Sequence, residues 1–101
     1  MNPHTNRVDP PGYLDEALTQ RWHELVALVS PGTLNAATAD ALARYVIAEQ
    51  QYLRAVQQVF FSLRSGDAAG AAQWSLVEER LCRVLYTSGR AFGLSPDAEL
   101  L

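Results

Sequence analysis

The sequence is poor in the residue types that most enzymes use for chemistry. Its 101 residues include no lysine, one cysteine (Cys82) and two histidines (His4 and His23). These three potential ligands are too scattered in sequence for the spacing of a metal site. The glycine-containing stretch 66–72, GDAAGAA, lacks the lysine and the hydroxyl of a phosphate-binding loop. We therefore predict no catalytic residue, no metal and no cofactor, and expect a binding or assembly protein.

Long apolar runs are also missing from the sequence, and their absence helps to predict the cellular compartment and whether the protein contacts a membrane. No run approaches the ~20 apolar residues of a membrane-spanning helix, and the first residues have no apolar segment of a secretory signal. A single cysteine excludes a disulfide within one chain and favours a reducing compartment. The net charge of −3 argues against a monomer that wraps around nucleic acid. These features predict an intracellular protein of one domain, without membrane contact.

Two segments precede the middle of the chain. Residues 1–12 hold three prolines and two asparagines, a composition that predicts a flexible N-terminal arm. A helical pattern begins at Tyr13 and ends at 30–32, SPG. Its apolar residues recur at helical spacing and predict one buried face: Leu14, Leu18, Trp22, Leu25, Val26 and Val29.

A second, longer helix is predicted over residues 36–64, capped by Thr33 or Asn35. It carries a heptad-like row with one polar position: Leu42, Val46, Glu49, Leu53, Val56, Phe60 and Leu63. A second row lies beside it: Tyr45, Tyr52 and Val59. Two apolar rows exceed what one thin hairpin covers, so a partner surface is predicted. The alternative is a monomer with an unusual helical bundle.

The small residues 65–70 predict the turn of a helical hairpin, and a third helix follows over 71–92. Its apolar residues again share a face: Trp74, Val77, Leu81, Val84, Leu85, Ala91 and Phe92. The predicted fold is all-α: a short N-terminal helix, a long antiparallel helical hairpin and a C-terminal turn, with residues 13–94 as an oligomerisation domain. The predicted interface residues are Trp22, Tyr45, Tyr52, Leu53, Val56 and Phe60.

All eight basic residues are arginines, and three of them fall close together on the third helix: Arg80, Arg83 and Arg90. Arginine suits bidentate contacts with phosphate, so these residues are candidate DNA ligands. The alternative is ion pairing with acids on neighbouring helices or subunits.

The C-terminus has the sequence of a helix stop followed by a helix start. Gly93 followed by Leu94 predicts a left-handed glycine with a leucine folded onto the last turn. Ser95 and Pro96 then predict a new N-cap, so the tail 95–101 would turn away from the hairpin. The alternative is a frayed tail.

Three stretches in order resemble the small subunit of phage terminases. They are residues 11–22, PGYLDEALTQRW, residues 34–45, LNAATADALARY, and residues 92–96, FGLSP. The resemblance covers most of residues 11–101. The chain departs from the family in its short link between the second and third helices and in Glu99, where an arginine is common.

The resemblance implies a non-catalytic protomer of a homo-oligomeric ring, in the cytoplasm of an infected bacterial host. It implies recognition of double-stranded viral DNA and contact with the terminase large subunit, which holds the motor and nuclease. Leu94, Leu100 and Leu101 are the predicted apolar contacts with that subunit. The rival hypothesis is a small helical dimeric regulator, or an antitoxin-like protein, that binds a partner protein through the same row of the second helix.

Overall fold

The structure, a computed structural model, describes residues 8–30 and 32–94. Within those ranges the regular structure consists of three helices and no strand: α1 (Glu16–Val26), α2 (Ala39–Arg64) and α3 (Ala68–Arg90). The prediction of an all-α chain is confirmed. Most of the predicted arm and the whole tail 95–101 lie outside the described residues. Within 8–12, Val8 packs partly buried against the core.

Side-chain caps set where the helices start, and each start differs from its predicted position. Asp15 accepts a hydrogen bond from the backbone N–H of Leu18 at 2.8 Å, so α1 starts at Glu16 rather than at Tyr13. The Asn35 side chain accepts from the N–H groups of residues 37 and 38, which forms a turn and delays α2 to Ala39. Asp67 accepts from Gly70 at 2.8 Å, so α3 starts three residues earlier than predicted.

The core lies at one end of the molecule. It joins α1, the first half of α2 and the last third of α3, and Trp22, Leu25 and Leu42 are among its fully buried members. Gly89 on α3 lies directly beside the Tyr45 ring on α2. The other ends of α2 and α3, joined by residues 65–67, extend beyond this core. The molecule measures 56 × 24 × 22 Å, and its radius of gyration of 15.5 Å exceeds the ~13 Å typical of a compact chain of this length.

The end of α3 closes the core as the sequence predicted. Gly93 has a left-handed φ of 74°, and the Leu94 N–H donates to the Gly89 carbonyl at 2.8 Å. Leu94 is consequently buried, and the Ser30 N–H donates to the Phe92 carbonyl at 3.2 Å. The turn after α3 is thereby fixed to the segment that follows α1.

Candidate assembly surface

α1 covers only the first half of the apolar row on α2. Leu42 and Val46 are buried in the core, and α1 lines a groove with α2 that reaches Leu53. One contact between the two helices is polar: Arg21 donates from Nε and Nη2 to the two carboxylate oxygens of Glu49, at 2.6 and 2.9 Å. This hydrogen bonding raises the pKa of the Arg21 guanidinium. Glu49 occupies the one polar position of the row, so the ion pair explains why the row is interrupted there.

Beyond Glu49 the row is open to solvent. Leu53 is 45% exposed, Phe60 60% and Leu63 58%, while Val56 between them is half-buried. These side chains share one side of α2 because they are three or four residues apart. The exposed stretch is therefore continuous, and Phe60 and Leu63 are its most exposed members.

A groove of about 660 Å³ runs along the same side of α3. Tyr52 lines this groove from α2. The other wall is formed by α3 and includes Cys82 and Tyr86. The full lining is Tyr52, Ser75, Glu78, Glu79, Cys82, Arg83, Tyr86 and Thr87. We call this groove, together with the exposed row of α2, the Leu53 face: Leu53, Val56, Phe60 and Leu63, with the groove residues of α3.

A second groove of about 380 Å³ lies on the opposite side of the two helices. Residues two apart on a helix differ by about 200° in direction, so Val77 points away from Glu79 and Arg54 away from Tyr52. Trp74, Val77 and Leu81 supply its apolar part, and Val84 continues the same side of α3 with 45% exposure. We call this surface the Trp74 face: Gln51, Arg54, Trp74, Val77, Arg80, Leu81 and Val84.

The structure divides the predicted interface residues between core and surface. Trp22 and Tyr45 are buried in the protomer's own core, which leaves them no surface for a second chain, a correction to the predicted interface. The second predicted row faces α3: Tyr45 lies beside Gly89, and Tyr52 lines the groove next to α3. Tyr45 is thus covered within one chain, whereas Tyr52 and Val59 are half-buried. Leu53 and Phe60 are exposed, and Tyr52 and Val56 are half-buried.

Two of the three candidate DNA ligands line different grooves. Arg83 lines the groove of the Leu53 face and pairs with Glu79 at 2.7 Å in an exposed ion pair. Arg80 lines the groove of the Trp74 face, and Arg90 is the exposed last residue of α3. The burial of Leu94 also conflicts with its predicted role as a contact for the large subunit, because the leucine completes the core. Leu100 and Leu101 lie outside the described residues.

The described residues include no group of three or more His, Cys, Asp or Glu side chains that could hold a metal ion. Cys82 is half-buried and free, and His23 is exposed on α1. Among the described helices none is long and apolar enough to cross a bilayer.

Two features were not predicted from the sequence. The first is the exposure of Val77 and Val84, which the helical pattern grouped with the buried Leu85. The second is the placement of Arg54 with Arg80 across α2 and α3 in one groove. The sequence shows the mixture of arginine and apolar residues at 74–84, but it does not show the register between α2 and α3 that brings Arg54 beside them.

Comparisons of the chain with protein-family models, with characterised proteins and with solved structures found no match.

Proposed function

We propose that this chain is the small subunit of a phage-type terminase. In this proposal it is a non-catalytic homo-oligomer that recognises double-stranded viral DNA and regulates the large subunit during genome packaging. α2 and α3 would act as a long antiparallel hairpin whose exposed end packs against neighbouring copies in a ring. The proposal places the protein in the cytoplasm of an infected bacterium.

One observation carries the oligomeric part of the proposal. Apolar side chains such as Phe60, Leu63 and Trp74 lie exposed where α2 and α3 extend past the core. Contiguous exposed apolar surface on a small protein marks an interaction site. Because this surface lies on both sides of the two helices, it supports an assembly with more than one contact per copy.

The family assignment is supported by how the resembling stretches are used. Each of the three supplies buried members of the single core cluster: Leu14 and Trp22 from the first, Leu34, Leu42, Ala43 and Tyr45 from the second, and Phe92 and Leu94 from the third. The residues that carry the resemblance therefore include those that join α1, α2 and α3. This is consistent with a shared fold.

DNA contact is assigned to Arg90, because Arg80 and Arg83 line grooves that neighbouring copies would cover in the assembly. A single copy with net charge −3 binds duplex DNA weakly, but a ring repeats each arginine and adds the contacts by multivalency. Large-subunit contact is assigned to Leu100 and Leu101, since Leu94 is occupied in the core.

The test measures oligomeric state, DNA binding and motor regulation on the full chain. Native mass spectrometry and light scattering at two concentrations should show one closed assembly. Fluorescence anisotropy with duplex DNA should show binding that weakens with salt and with Arg90→Glu. The matched control, Arg64→Glu, reverses an exposed arginine that lines neither groove.

Addition of the assembly to a large terminase subunit should change its ATPase or nuclease rate. A closed assembly that neither binds DNA nor alters that rate would contradict the proposed function. A dimer that dissociates on dilution and captures a partner protein would favour the regulator hypothesis instead.

A further inference from the structure

We infer that the two faces are complementary docking surfaces for a second copy of this chain, with the Trp74 face of one copy seated on the Leu53 face of the next. This deepens the oligomeric part of the proposed function and rests on it.

The Leu53 face carries negative charge beside its apolar residues. Glu78 and Glu79 both line its groove. Glu79 pairs with Arg83 in an exposed ion pair, which contributes little. Glu78 is half-buried and has no hydrogen-bond or ion-pair partner among residues 8–30 and 32–94. A carboxylate in an apolar groove is costly without a cation nearby, so this face favours a cationic partner.

The Trp74 face carries the opposite charge. Arg54 and Arg80 line its groove, and that groove has no acidic lining residue. Neither arginine forms an ion pair within the described ranges. Arginine keeps its charge while its long apolar stem packs on neighbours such as Trp74, a combination typical of interface centres. The lining of this groove therefore has a net positive charge, whereas Glu78, Glu79 and Arg83 give the groove of the Leu53 face a net negative charge.

The opposite positions of the faces determine the kind of contact. A two-fold dimer through the Leu53 face would bring Glu78 and Glu79 against their own copies and leave Trp74 exposed. Like charges placed together across an interface cost several kcal/mol. A head-to-tail contact pairs opposite charges and covers one face of each kind. Repeated around a closed ring, it covers every face in the assembly.

Charge exchange tests this contact on the full chain. Glu78→Arg/Glu79→Arg and Arg54→Glu/Arg80→Glu each place like charges in the proposed contact, so each should weaken assembly about tenfold or more. The four substitutions combined in one chain restore opposite charges and should recover assembly. A 1:1 mixture of the two double variants should also co-assemble. Arg64→Glu should assemble like the parent, and sedimentation velocity across a dilution series measures all five samples.

The two-fold alternative predicts a different pattern, in which Arg54→Glu/Arg80→Glu still dimerises. That result, or a folded four-substitution chain that stays monomeric, would overturn the inference. Circular dichroism checks that each variant folds. If Arg54→Glu/Arg80→Glu unfolds, the milder variant Arg54→Gln/Arg80→Gln replaces it. An assembly insensitive to all of these charges would contradict this contact but leave the proposed function intact. Charge-dependent assembly without DNA binding would support this contact and contradict the proposed DNA recognition.

Discussion

Arg21 on α1 and Glu49 on α2 form a bidentate ion pair, with N–O distances of 2.6 and 2.9 Å. The Glu49 side chain is 11% exposed and that of Arg21 29% exposed, so both are partly removed from water. Leu53, the next member of the row, shares a groove with α1 but is already 45% exposed. The pair therefore lies at the boundary between the core and the exposed part of the row.

Breaking this pair from one side should destabilise the protomer. Arg21→Met leaves the Glu49 carboxylate buried without its cation, and we expect the free energy of unfolding to fall by about 2–3 kcal/mol. The double variant Arg21→Met/Glu49→Leu removes the stranded charge and should lose less than the single variant. Urea unfolding measured at one fixed chain concentration tests both, because assembly contributes to apparent stability.

The exposed pair between Arg44 and Asp40 provides the control. Its N–O distance is 2.9 Å, but both side chains are more than half exposed. Arg44→Met should cost no more than about 0.5 kcal/mol. Equal losses for Arg21→Met and Arg44→Met would show that the burial of Glu49 has no energetic role.

The sequence predicted the three helices and the buried face of α1, because apolar spacing of three and four residues reports on helical packing. Trp22 and Leu25 on α1 are buried as predicted. Helix starts were less predictable. Asn35 was a candidate cap, but its side chain forms a separate turn and the helix starts later. Local hydrogen bonds of this kind compete with the helix, and spacing does not reveal which arrangement wins.

The candidate site was predicted only in part. Apolar spacing shows that a residue belongs to the apolar face of a helix. It does not show whether another helix packs against that residue. Tyr45 and Leu53 both lie in apolar rows of α2, yet one packs beside Gly89 in the core and the other is exposed. The difference depends on the length and docking of α1. Similarly, Arg54 meets Arg80 in one groove only because residues 65–67 set the register of α2 and α3.

Gly89 should tolerate no side chain. A Cβ at this position would lie 3.0 Å from the Tyr45 ring and 3.1 Å from the Leu94 carbonyl oxygen. Gly→Ala inside a helix normally stabilises by about 1 kcal/mol, but here the contacts reverse the sign. We expect Gly89→Ala to destabilise by about 1–3 kcal/mol, because neither the buried ring nor the backbone moves freely. Thermal unfolding followed by circular dichroism measures the change.

Gly12→Ala is the matched control for Gly89→Ala, because a Cβ there meets no atom within 4 Å. Its melting temperature should stay close to that of the parent chain. If Gly89→Ala instead raised the melting temperature, the close packing of Tyr45 against α3 would be refuted.

Tyr45 should make the fold sensitive to alkali. Burial, followed by the charge of Glu49, raises the pKa of the Tyr45 phenol above its ordinary value of 10.0. The folded chain therefore keeps this proton at pH values where the unfolded chain releases it. The resulting stabilisation is constant below about pH 9 and is lost as pH rises through 10 toward the folded-state pKa.

Tyr45→Phe removes this titration but keeps the ring. Its free energy of unfolding should match the parent at pH 7 and decline less than the parent between about pH 9.5 and 11. Urea unfolding at a series of pH values gives both curves. Parallel curves would mean that another group is responsible for the alkaline sensitivity.

Phe60 should serve assembly and not the protomer's core. Its side chain is 60% exposed, so Phe60→Ser removes little buried area and should change protomer stability by no more than about 0.5 kcal/mol. In the assembly the same ring would be buried against the neighbouring copy, and we expect the dissociation constant between copies to rise about tenfold or more. Leu28→Ser is the control, since Leu28 is 58% exposed but belongs to neither face. Sedimentation velocity over a dilution series should show weaker assembly for Phe60→Ser alone. Equal assembly of both variants would mean that the exposed row of α2 is not where copies meet.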